Sequence, residues 1–154
     1  MRHVAVQQSD FDIGEEAGLL RAIGSNVGAV CTFSGMVREF QQDAGEEQVE
    51  ELFLEHYPGM TEKCLTEIVD QAFERWPLAG CRVIHRVGAL QPGDQIVFVG
   101  TASEHRHAAF EAAEFIMDYL KTKAPFWKRQ SGSGGTAWVE HRESDDQAAE
   151  RWQS

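Results

Sequence analysis

Four cations, Lys121, Lys123, Lys128 and Arg129, fall in a stretch from Tyr119 to Val139 that contains neither Asp nor Glu. The chain around them is acidic, with 25 Asp and Glu against 14 Lys and Arg and a formal net charge of -11. A positive island in such a chain suits a small anionic ligand. It argues against nucleic acid, whose phosphates need a broad basic face unopposed by the protein's own field. Lys121 and Lys123 also have a plainer use. They stand just before Pro125, which stops a helix, and cations in a last turn complement the macrodipole. Lys128 and Arg129 lie beyond the proline, where capping does not account for them.

Three more donors join this set: Arg38 at the end of an apolar strand, and His105 and Arg106 in the first turn of a long helix. Arginine grips phosphate or carboxylate through a planar fork, and a lysine crowded by other cations has its pKa lowered, so that it can exchange protons. The set fits an anionic substrate whose reaction develops negative charge. The bland alternative is a scatter of solvated surface charges.

Other chemistries lack their residues. There is no G-x-G-x-x-G after a strand, no G-x-x-x-x-G-K-[ST] and no G-x-S-x-G elbow. His105-x-His107 has no third ligand at metal spacing, so no metal and no cofactor are expected. Cys31, Cys64 and Cys81 form no C-x-x-C pair and occupy apolar positions, as buried free thiols do.

The elements that must position these residues read as one α/β domain over 1–154. Val4 and Val6 mark a first strand, and the Ser9 to Asp12 cluster caps a helix running to about Ile23. Residues 27–37, apolar on both faces, read as a central strand, and the acidic segment 39–48 as a mobile loop. Strands follow at 49–56, 81–87 and 95–102, with a QPGD turn at 91–94. The clearest helix covers 61–76, where Cys64, Leu65, Ile68, Val69, Ala72, Phe73 and Trp76 make one stripe. A second long helix, about 105–122, takes Ser103 as its cap. After Pro125 a hairpin of 126–130 and 136–142 precedes a short helix near 144–152 with Ser144 and Gln147 as a capping box. Trp138 and Trp152 are anchors of either core or interface. No apolar run reaches the roughly 20 residues of a membrane span and no signal-peptide h-region is present, so a cytoplasmic protein is expected.

Five segments carry a resemblance: LFLEHYPGMTE at 52–62, VIHRVGALQPGDQIVFV at 83–99, SEHRHAAFEA from Ser103, FIMDYLKTKAPFWKR up to Arg129, and WVEHRESD from Trp138. Together they closely resemble the large, catalytic subunit of molybdopterin synthase, over about residues 28–152. The resemblance implies an α/β hammerhead fold with an additional small antiparallel β-subdomain. It implies a homodimer within a heterotetramer, flanked by two copies of a ubiquitin-like small subunit that carries sulfur as a C-terminal thiocarboxylate. The implied substrate is cyclic pyranopterin monophosphate, which receives two sulfurs in turn to form the molybdopterin dithiolene.

Residue by residue, the family's catalytic lysines fall on Lys121 and Lys128. Its substrate-binding positions fall on Arg38, His105, Arg106, Phe33, Met117 and Arg142, the last contributed by the opposite subunit. The family often continues after its V-R with Asn or Asp and His-Asn, whereas Glu39, Phe40 and Gln41 follow Arg38 here. Two rival readings remain at this point: a scaffold that binds a ubiquitin-like carrier without catalysis, and a module that grips a phosphorylated small molecule.

Overall fold

The computed structural model describes the backbone of residues 1–41, 47–132, 135–139 and 143–153, and the side chains of these apart from 40–41, 47–50, 130–132, 135–139 and 143–144. In chain order the elements are β1 (Arg2–Gln7), α1 (Ile13–Arg21), β2 (Ala29–Met36), β3 (Phe40–Gln41), β4 (Glu47–His56), α2 (Met60–Arg75) and β5 (Leu78–Arg86). They continue with β6 (Gly88–Leu90), β7 (Gln95–Ser103), α3 (Arg106–Lys123), β8 (Phe126–Gly132), β9 (Gly135–Val139) and α4 (Glu143–Glu150).

Two sheets result. The first has the order β1-β5-β7-β2, with β1 parallel to β5 and the other pairs antiparallel. Alternation along its strands sends Cys81 and Val83 of β5 and Val97 and Val99 of β7 to one face, where they meet Leu65, Ile68, Val69 and Ala72 of α2 and Ala112, Ala113, Ile116 and Leu120 of α3. Small residues on α3 let that helix lie close to the strands, and Thr101 inside β7 donates to the Ala109 carbonyl at 2.7 Å. The opposite face carries α1, whose Leu20 rests over Gly80 and Gly100. Asp12 caps α1, accepting from the Glu15 amide at 2.8 Å.

The second sheet has the order β3-β4-β8-β9, with β6 added to β4, and all its described pairs are antiparallel. This mixed α+β arrangement, with a small antiparallel second sheet beside the first, is the fold class expected from the sequence. Leu52 and Leu54 of β4 close a smaller core with Val37, Val87 and Leu90, so the two sheets join where β2, β5 and β6 end or begin.

Several elements differ from their sequence reading. β2 is an edge strand, not a central one, and leaves Phe33 and Met36 about half exposed. The acidic segment begins and ends in paired strands, Phe40 opposite Gln48 and Gln41 opposite Glu47, and 42–46 lie outside the described residues. Ser103 does not cap α3. It completes β7 and donates to the Pro77 carbonyl at 2.9 Å, and His105 holds the N-cap position without a side-chain capping bond. Ser144 sits inside α4, which already starts at Glu143. Trp152 packs edge-on against Trp76 and Phe115 and gives its indole N–H to Asp118 at 2.7 Å, which makes it a core anchor. The side chain of Trp138 is outside the described set.

Candidate functional site

The lysines are delivered by two elements that meet at Pro125. Lys121 occupies the last turn of α3, where Ala113, Met117 and Lys121 follow one another at i+4 along a single ridge. The ridge runs out of the core: Ala113 is buried, Met117 half-buried and Lys121 exposed. Lys128 lies in β8 opposite Leu54 of β4, and Phe126 lies opposite His56. Residues directly opposite in an antiparallel pair share a face, so Lys128 and Phe126 stand with buried Leu54 on the inner side of the second sheet. Arg129, one residue on, goes to the outer side, with its guanidinium 5.1 Å from the centre of the Phe53 ring. The positive island of the sequence is thus split between two faces.

A buried histidine joins the two lysines. His85 continues the inward alternation of Cys81 and Val83 on β5, but at this end of the sheet Phe126 covers it, with ring centroids 3.8 Å apart and planes 19° from parallel. His85 is 6% exposed, and its Nδ1 is 2.8 Å from the Arg86 carbonyl, an acceptor that requires Nδ1 to carry the proton. Burial pushes its pKa down to about 3, and the nearby charges of Lys121, Lys128 and His56 press in the same direction. The ring is therefore neutral over the physiological range and tolerates both ammonium groups beside it.

Thr61 fastens this corner. Its fully buried Oγ1 accepts from the Tyr57 amide at 3.0 Å and donates to the Pro125 carbonyl at 2.9 Å, tying the start of α2 to the segment between the two lysines. Arg38 stands at the same end of the first sheet. It follows Val37, whose amide donates to the Asp94 carbonyl at 2.9 Å and whose carbonyl accepts from Gly93 at 2.8 Å. Gly93, with φ of 93°, makes that turn possible. Phe33 lies on the α3 side of β2, opposite Val99.

His105 and Arg106 are elsewhere. His105 caps α3 and Arg106 begins it, sixteen and fifteen residues before Lys121, which at about 1.5 Å per residue puts them roughly 22–24 Å away along the helix axis. The single cluster of donors expected from the sequence is therefore two clusters in one chain: Arg38, Lys121 and Lys128 at one end of the sheet, His105 and Arg106 at the other. A cavity of about 690 Å³ opens at the second end, lined by Ile23, Trp76, Pro77, Leu78, Ser103 and His105 among others, and neither Lys121 nor Lys128 lines it. Arg142 lies outside the described residues.

Sequence reasoning missed His85, His56, Glu62 and Thr61. A histidine at the inward position of an alternating strand was the available signal for His85, and Glu62 three residues after Gly59 was the signal for a bond at the start of α2. Among the described residues no three His, Cys, Asp or Glu side chains gather as a metal site. The three cysteines are free, and burial pushes the Cys81 thiol up to about 12. No helix among the described residues is long and apolar enough to cross a membrane.

A family model described as MoaE protein matches residues 6–123. The molybdopterin synthase catalytic subunit of Escherichia coli (strain K12) is 58% identical over 149 residues, which is 97% of this chain and 97% of that protein. Among solved structures, the molybdopterin biosynthesis MoaE protein from Burkholderia ambifaria MC40-6 matches with a TM-score of 0.84 at 45% identity, over 100% of this chain and 99% of that one. The molybdopterin synthase from Staphylococcus aureus matches with a TM-score of 0.80 at 31% identity, over 88% of this chain and 96% of that one.

Proposed function

The chain belongs to the MoaE family, and from that premise we propose how its residues divide the work. It is the catalytic subunit of molybdopterin synthase. It takes two sulfurs in turn from the C-terminal thiocarboxylate of a ubiquitin-like small subunit and places them on cyclic pyranopterin monophosphate, forming the molybdopterin dithiolene. The observation that supports a site at the sheet junction is the arrival of Lys121 from α3 and Lys128 from β8 around one neutral, buried His85.

Two ammonium groups beside an uncharged ring, at the edge of an apolar core, form a preorganised positive corner. Lys121 stabilises the negative charge that develops as sulfur attacks and passes protons to and from the departing oxygen. Lys128 assists it from the neighbouring strand. Arg38 grips the substrate phosphate through its fork, and Phe33 and Met117 offer the apolar surface on which the pterin lies.

His105 and Arg106 are roughly 22–24 Å from Lys121 within one chain. They serve this site only if a second copy brings its own α3 start against the first copy's lysine corner. The homodimer supplies such a copy, and Arg142 comes to the site by the same route. The small subunit completes the heterotetramer. We place the enzyme in the cytoplasm, a reducing compartment in which its free cysteines persist unpaired.

The test mixes the protein with thiocarboxylated carrier and cyclic pyranopterin monophosphate and follows carrier mass and dithiolene formation, beside Lys121→Ala. The parent is expected to consume carrier sulfur and yield dithiolene. Lys121→Ala is expected to lose most turnover while its stability changes by at most about 1 kcal/mol, the contribution of a helix-end cation. Carrier binding without sulfur loss in the parent would leave a scaffold in place of an enzyme.

A further inference from the structure

One carboxylate oxygen near the lysine corner is left without a hydrogen-bond donor among the described residues. Glu62, in the first turn of α2, uses Oε2 to accept from the Gly59 amide at 3.3 Å. Its side chain is 41% exposed overall, but Oε1 itself is buried and has no hydrogen-bond partner among the described residues. A buried acceptor without a donor is costly, and such atoms mark groups kept for another use. The facing group is His56 at the end of β4, with Nε2 3.9 Å from that oxygen. A shift of about 1 Å brings the pair to hydrogen-bond distance.

His56 is placed to act on a reaction at the lysines. It shares the inner face of the second sheet with Leu54 and Lys128, lies opposite Phe126, and is close enough to His85 for its charge to be felt there. Its side chain is 20% exposed, so water reaches it. With Nε2–H directed at Glu62, Nδ1 holds the lone pair. Glu62 of α2 faces it, and His85 of β5, on which the charges of His56, Lys121 and Lys128 all act, links it to the lysine corner. The Glu62 carboxylate is the acceptor that can orient this imidazole.

The chemistry of the proposed function calls for such a base. Once a thiocarboxylate sulfur bonds to the pterin carbon, the carrier's acyl carbon remains joined to that sulfur as a thioester. Releasing the carrier requires water. We propose that His56, oriented by Glu62, is the general base for hydrolysis of this thioester, an inference that rests on the function proposed above. Water adds its oxygen to the acyl carbon while Nδ1 of His56 takes one proton, and the oxyanion that forms faces the lysine ammonium groups. The carbon–sulfur bond then breaks with its electron pair going to sulfur, which receives the proton from His56. The carrier leaves as a carboxylic acid that gives its remaining proton to solvent.

The experiment runs thiocarboxylated carrier and cyclic pyranopterin monophosphate with the parent, His56→Gln, Glu62→Gln and His56→Gly, reading intact carrier mass over a single turnover. In His56→Gln the covalent carrier–pterin adduct is expected to accumulate, with its hydrolysis slowed about 100-fold, the usual worth of a general base. Adduct formation also proves that the variant is folded and that its lysines work. Glu62→Gln should slow the same step less, and free imidazole should speed adduct breakdown in His56→Gly. Parent-like hydrolysis in both glutamine variants overturns the proposal. So does loss of adduct and product together in Glu62→Gln, which assigns the pair a structural role. Absence of both sulfur loss and adduct in the parent defeats instead the function on which the proposal stands.

Discussion

Acidification should destabilise this protein through His85 in an amount that the structure sets. The ring is sealed between Phe126 and the strand end, its Nδ1 proton is committed to the Arg86 carbonyl, and burial holds its pKa at about 3 against an ordinary 6.5. The unfolded chain takes up a proton on this histidine as pH falls below about 6.5, whereas the folded chain refuses it until about 3. Stability from this group is therefore complete above the unfolded value and is lost as pH falls through that window. Between about pH 7 and about pH 5 the loss comes to about 2 kcal/mol, at 1.36 kcal/mol per unit. Urea denaturation followed by tryptophan fluorescence at the two pH values measures it. Carboxylates titrate over the same range, so the informative quantity is the difference between the parent and His85→Phe, whose ring can still cover Phe126. The parent should lose about 2 kcal/mol more than the variant over this interval. Equal losses would refute the claim that His85 is buried neutral, and with it the account of how two lysines are accommodated beside it.

Two further outcomes follow from the same geometry. Thr61→Val keeps the shape of the fully buried side chain but strips partners from the Tyr57 amide and the Pro125 carbonyl, so urea unfolding should report a loss of about 2–4 kcal/mol. Because Pro125 leads into Phe126 and Lys128, turnover in that variant should fall more than substrate affinity. Gly28→Ala would put a Cβ 2.2 Å from the Glu104 carbonyl oxygen, a backbone atom that cannot swing aside. Thermal melting should show a loss of about 1–3 kcal/mol, and the displaced start of α3 should weaken substrate binding through His105 and Arg106.

The helices were legible because their evidence is local. The stripe Leu65, Ile68, Val69 and Ala72 in α2, and the small-residue face of α3, are set by a 3.6-residue period that needs no knowledge of neighbours. The place of a strand in a sheet is not local. β2 is apolar on both faces and so read as central, yet it lies at an edge with Phe33 and Met36 about half exposed. Ser103 had the chemistry of a helix cap, but β7 extends through it and its hydroxyl meets Pro77 instead. The three residues of β6 carry too little pattern to distinguish them from the turn they precede.

Lys121, Lys128 and Arg38 could be singled out from charge contrast, the Pro125 helix stop and the resemblance of long segments to a known family, since residue type and order in the chain carry all three signals. Which of the donors act together was a matter for the tertiary structure alone. α3 is a rigid rod of 18 residues, so it holds His105 and Arg106 away from Lys121 however alike their chemistry. Conversely, the junction of the two sheets brings Lys128, His85, His56 and Glu62 from four different elements to one corner. Helices, family and available cations can all be read from residue type and order along the chain. The folded chain decided their company, because strand pairing and sheet packing join residues whose separation in sequence leaves no periodic trace.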